Sequence, residues 1–166
     1  MEMAKLFLSQ CFFRPLPQEW HFSDRAFEYT AVFYLLVFWV IQGLLVDPAE
    51  GSIAAACEVI LTLAFTGVFL LIKDKTEIFF PLSTMVMGTV ATIGLLSIPI
   101  LVWLRLASGS ELLAAFYTTL AFLLWGLMAV GNIFRQLLAK PPSYGFGVAC
   151  AYALETYVGT LFLLVV

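Results

Sequence analysis

From residue 26 onward the chain alternates long apolar runs with short polar interruptions. The first run extends from about Ala26 to Val46 and stops at DPAEGS; the second, from about Ser52 to Ile72, stops at KDKTE. A third covers about Phe80 to Leu104, with Pro99 near its far end, a fourth about Leu112 to Phe134, and a fifth about Gly145 to Val166. Each is close to the ~20 apolar residues that a bilayer-crossing helix needs. The joins hold the Pro, Gly, Asp and Ser of turns. The pattern predicts an all-α integral membrane bundle of five transmembrane helices over residues 26–166, with no soluble domain. Its extramembrane links, about 5–12 residues, suit helix–helix connections and are too short for a catalytic domain or nucleotide site.

Residues 1–25 read differently. Met3, Leu6, Phe7, Gln10 and Phe13 fall at helical spacing, with Lys5 and Arg14 near the edge. This predicts a short amphipathic helix on the cytoplasmic side, lying in the headgroup region and ended by Pro15 and Pro17. Its apolar run is broken by Ser9 and Gln10 and lacks a small-residue cleavage site, so it does not read as a signal peptide. Ser23 or Asp24 is placed to cap the first span through a side-chain oxygen. Trp20, Trp103 and Tyr144 sit where interfacial aromatics belong, with His21 beside Trp20. Trp39 and Trp125 lie deeper and read as packing residues.

Composition then fixes the solvent. Of 166 residues, 63% are hydrophobic and 11% charged, against about 45–50% and 25% in soluble domains. A chain this short cannot hide so much apolar surface in one core, so lipid must cover it. Seven of the eight Lys and Arg residues (Lys5, Arg14, Arg25, Lys73, Lys75, Arg135, Lys140) fall on one side of the five-span layout and only Arg105 on the other. Basic residues accumulate in short cytoplasmic loops. The amino terminus is therefore expected in the cytoplasm, the carboxyl terminus opposite, and the membrane is expected to be the bacterial cytoplasmic (inner) membrane. No basic surface for nucleic acid remains beyond what orientation requires. Cys11, Cys57 and Cys150 form no C-x-x-C pair and His21 has no second ligand at metal spacing, so neither metal nor cofactor is expected.

The candidate chemistry lies inside the spans. Glu58 and Glu155 are the intramembrane acids, costly in lipid unless they face other helices or water. Steps of four through Glu155 give Gly147, Ala151 and Gly159, a small-residue seam that lets another helix approach. Steps of four through Glu58 give Ala54, Thr62 and Thr66. At ~1.5 Å per residue the two acids differ in depth by roughly 6 Å, so on neighbouring helices they can approach or share a water. Gln42 lies at a depth similar to Glu58. Asn132 and Arg135, three apart, share a face near the cytoplasmic boundary, where Arg135 is expected to snorkel rather than pair with Glu155. Thr84, Gly88 and Thr92 form a second small-residue seam. The two acids read as neutral hydrogen-bonding residues joining helices, as a proton or cation pathway, or as part of a binding pocket for lipid or a partner helix.

Several segments resemble the Yip1 family of five-span membrane proteins. These are the lead LFLSQCFFRPLP, the second link and third span KDKTEIFFPLSTMVMGTVATIGLLSIPI, and the fourth-span stretch WGLMAVGNIFRQLL. The resemblance implies a non-enzymatic role in trafficking or membrane shaping; the long cytoplasmic domain of eukaryotic members is absent here. No nucleophile, metal-ligand or nucleotide motif argues for an enzyme. The sequence expectation is a scaffold, assembly or trafficking-type factor acting through helix–helix contacts, with membrane lipids and other membrane chains or further copies of itself as partners. The alternative is a small proton- or cation-coupled transporter or channel subunit using the two glutamates.

Overall fold

The computed structural model describes residues 2–15, 22–45 and 48–165. Pro17, Trp20, His21, Val46 and Val166, which carry expectations above, lie outside the described residues. The described chain is helical: α1 (Glu2–Cys11), α2 (Asp24–Leu45), α3 (Pro48–Ile72), α4 (Phe79–Leu106), α5 (Ser110–Leu137) and α6 (Pro142–Val165), with one 3₁₀ turn at Thr76–Ile78. Among the described residues α2, α3, α4 and α5 are long and apolar enough to cross a membrane. The chain is thus a multi-pass membrane protein. The fifth expected span corresponds to α6, which is not in that set.

Local chemistry accounts for the helix ends. The Ala26 N–H donates to Ser23 Oγ at 3.3 Å, so Ser23 caps α2. Three helices end alike, with non-glycine residues in the left-handed region: Phe13 after α1, Asp74 after α3 and Ala139 after α5. In each, the N–H of the next residue reaches back five positions: Arg14 to Ser9 O, Lys75 to Leu70 O and Lys140 to Arg135 O, at 3.1, 3.0 and 2.9 Å. This double-bonded cap satisfies carbonyls that the last turn leaves free. Glycine is the usual residue at that position; its absence here hides these stops from a sequence reading.

The five long helices close into a ring in the order α2–α3–α6–α5–α4, with α4 returning to α2 and also touching α3. Leu70, Leu82, Met85, Val86, Val130, Ile133 and Phe134 fill the end of the ring where α3 meets α4 and α5 meets α6. Tyr34, Val37, Ile41, Met87, Ala91 and Leu101 join α2 to α4. The outward faces carry exposed Val32, Ile60, Val68, Leu113, Phe116 and Leu154, an apolar coat that suits lipid.

The lead, expected as a short helix in the headgroup region, packs as α1 against α4 and α5. Phe7 covers Gly88, where a Cβ would overlap the Phe7 ring. The Thr84–Gly88–Thr92 stripe therefore receives α1, not another long helix. Trp125 Nε1 donates to Cys11 O at 2.7 Å, and Cys11 Sγ to Thr89 O at 3.9 Å. Burial pushes the Cys11 thiol up to about 11. Because the thiolate is the nucleophile, a thiol with a raised pKa is protonated and inert throughout the neutral range. With Cys57→Ala and Cys150→Ala in place, Cys11 is expected to resist maleimide at pH 7.5 in mild detergent and to label fully once SDS unfolds the chain. Mass spectrometry reads both states; rapid labelling of the native protein would mean that α1 is not docked.

Candidate functional site: a cavity at the centre of the ring

α3 builds one wall of the site. Ala54, Glu58, Thr62 and Thr66, the polar stripe at steps of four, are all buried, with Glu58 5% exposed. Lipid faces the other side of α3, where Ile60, Val68 and Leu71 are exposed. The stripe turns inward because exposure of its carboxyl and hydroxyls to hydrocarbon costs several kcal/mol.

Against Thr62 two tyrosines converge. Thr62 Oγ1 lies 3.0 Å from Tyr152 Oη of α6 and 3.2 Å from Tyr34 Oη of α2, and the two phenols are 3.4 Å apart. Three hydroxyls on three helices thus satisfy one another. One turn further along α3, Thr66 Oγ1 donates to Thr62 O at 2.9 Å and meets Ser83 Oγ of α4 at 3.1 Å. A buried line of hydroxyls therefore runs from the centre of the ring into its packed half.

On the other side of the hydroxyl cluster the ring is open. A cavity of about 290 Å³ lies between the five long helices and reaches the end where α2 meets α3 and α4 meets α5; Leu45 and Leu104 line it there. Its wall is mainly apolar, with Ile93, Leu101, Phe122 and Leu123 prominent. Glu58, Tyr34 and Tyr152, with Ser97, Thr119 and Thr156, supply polar groups to the wall. Gly126 on α5 presents no side chain to this space, while Gly94 on α4 lets Val37 and Ile41 of α2 come close at its edge.

The predicted residues distribute unevenly over this geometry. Glu58 lines the cavity. Glu155 does not, but it sits on the neighbouring α6, within electrostatic range of Glu58. Its Oε2 is buried without a hydrogen-bond partner among the described residues. The seam predicted through Glu155 requires correction: Gly147 and Ala151 are exposed, and a Cβ on Gly147 would meet nothing within 4 Å. The buried stripe of α6 is Gly145, Ala149, Tyr152, Thr156 and Thr160. Only Gly159 keeps part of the expected role, facing Leu61 of α3. Gln42 is half-buried near the end of α2 and lies outside the cavity wall.

Arg135 donates through Nε to Asn132 Oδ1 at 2.9 Å, on its own helix. Both line a separate cleft of about 440 Å³ with Phe13 and Phe146, at the end away from Glu58. Tyr34 and Tyr152 were missed by sequence reasoning. Their one signal was a phenol, rather than a phenyl, deep in an apolar run. Among the described residues no group of three or more His, Cys, Asp or Glu side chains gathers to hold a metal. No protein-family model, curated protein or solved structure matches this chain.

Proposed function

We propose that the chain is a non-enzymatic, five-span protein of the bacterial inner membrane that holds a small, mainly apolar molecule inside the ring. This makes it a carrier or transporter-type protein. The observation behind this reading is the central cavity, with one buried carboxyl in its wall and a closed hydroxyl cluster beside it. Apolar cavities of about 150 Å³ in proteins stay dry and take up benzene-sized molecules. In a bundle that served only to join helices, such a void forfeits contacts without return. With the amino terminus in the cytoplasm, as the distribution of Lys and Arg supports, the cavity reaches the opposite side.

The scaffold reading draws on small-residue packing. The close approach of Gly131 to Gly145 is used inside this chain to join α5 to α6. It therefore argues less for an external helix than the sequence alone did.

Equilibrium dialysis of neopentylbenzene against the protein in lipid nanodiscs, with empty nanodiscs as baseline, tests the reading. Saturable binding is expected, and Gly126→Leu should abolish it. A Cβ on Gly126 has Ile93 Cγ2 as its nearest neighbour at 3.9 Å, so the new side chain has room to grow into the cavity. Partition no greater than into empty nanodiscs would overturn it and return the scaffold reading to first place.

A further inference from the structure

We propose that the cavity takes a lipophilic monocation and that Glu58 supplies its counter-charge. This rests on the cavity being a ligand site, and it is carried by the distribution of charge around that site.

Glu58 is only 5% exposed, and it lines the cavity. Among the described residues, Lys, Arg and His are all missing from the wall. A buried carboxyl either stays neutral or takes a charged partner. Among the described residues the wall offers no cation, so a ligand cation is the group that would hold Glu58 ionised and complete the pair. Glu155 on the neighbouring α6 adds a second acidic group within electrostatic range.

The rim repeats the sign. Glu50 stands in the first turn of α3 and Glu111 in the first turn of α5, both at the end the cavity reaches. The base at that end, Arg105, is exposed and donates through Nη1 to Leu44 O at 3.0 Å, the carbonyl end of α2. Acidic groups of one sign around a low-dielectric opening draw cations toward it.

The remaining wall matches the rest of such a ligand. Tyr34 and Phe38 stack with centroids 4.4 Å apart, and Phe122, Tyr152 and Tyr157 add further ring surface. Aromatic faces attract a desolvated cation and also accept an apolar body. An anion would meet Glu58 and, among the described wall residues, no base. A neutral molecule would leave the carboxyl without a charge partner. A small inorganic cation would leave most of the apolar wall uncovered.

The test uses an isosteric pair in nanodiscs: benzyltrimethylammonium and neopentylbenzene, which differ by a charged nitrogen in place of a carbon. In the wild type the cation is expected to displace the neutral probe and to bind at least tenfold more tightly after lipid partition is subtracted. Glu58→Gln, close in size, is expected to weaken the cation about 30-fold and to leave the neutral probe within twofold. Gly126→Leu is expected to abolish both.

If Glu58→Gln leaves cation binding within twofold while the neutral probe still binds, the counter-charge role is overturned and the cavity reading stands. If neither probe binds the wild type, both fall. Should Glu58→Gln not fold, the wild-type comparison alone decides, because equal affinity for the two probes removes the charge preference.

Discussion

Gly145→Leu is expected to leave no folded protein in a mild-detergent extract, while Gly147→Leu, two residues further on, is expected to behave as wild type. The difference lies in what each glycine faces. An added Cβ on Gly145 would overlap the carbonyl oxygen of Gly131 and lie 2.9 Å from Arg135 Cβ. A Cβ on Gly131 would in turn meet Gly145 O at 2.8 Å. The obstacles are mostly backbone, which cannot rotate aside, so α5 and α6 would have to separate. Overpacking a core costs about 1–3 kcal/mol when side chains can adjust. Here little can adjust, and close backbone approach is itself a main source of helix association in lipid, where no hydrophobic force acts between helices. Gly147 faces outward, and a Cβ added there finds open space for 4 Å around it. Its replacement by Leu gains helix propensity, about 0.5–1 kcal/mol. Size-exclusion profiles and thermal melting of the two variants decide the matter. Equal damage from both would mean that the packed face of α6 is misassigned.

That pair also shows where sequence reasoning reached its limit. α6 carries two small-residue stripes, Gly147–Ala151–Glu155–Gly159 and Gly145–Ala149 continuing to Tyr152, Thr156 and Thr160. Spacing alone cannot choose between them. The choice is made by α5, which offers Gly131 at the height of Gly145, and by the hydroxyls of Tyr152 and Thr62, which need each other. On α3 the same reasoning worked, because Glu58, Thr62 and Thr66 fall on one face and lipid penalises exposing any of them. α1 was readable as a helix from its periodicity, yet its docking site was not: Gly88 invites Phe7 only once α4 is placed. The cavity had no sequence signature of its own, since it is an absence of a side chain at Gly126 together with the spacing of five helices.

The hydroxyl cluster sets the second large effect. Tyr152→Ala is expected to destabilise the bundle by about 3–5 kcal/mol, the usual cost of deleting a buried aromatic ring, whereas Tyr152→Phe should cost nearer about 0.6–1.7 kcal/mol, the range for interhelical hydrogen bonds in membranes. The ring belongs to the core cluster with Val130, Phe134 and Ala149 and meets Phe65 edge-on at 5.4 Å. Its hydroxyl bonds Thr62 at 3.0 Å and approaches the Tyr34 hydroxyl at 3.4 Å. Phenylalanine keeps the first set of contacts and removes the second, and Tyr34 and Thr62 still hold each other at 3.2 Å. Combining Tyr34→Phe with Tyr152→Phe leaves Thr62 without either phenol, so the double variant should depart from the sum of the singles by at least ~0.5 kcal/mol. Reversible unfolding in increasing SDS, followed by helicity, gives all four values. A Phe variant as unstable as the Ala variant would show that the hydroxyls, not the ring, hold α2, α3 and α6 together. Strict additivity would instead show that Tyr34 and Tyr152 do not share Thr62.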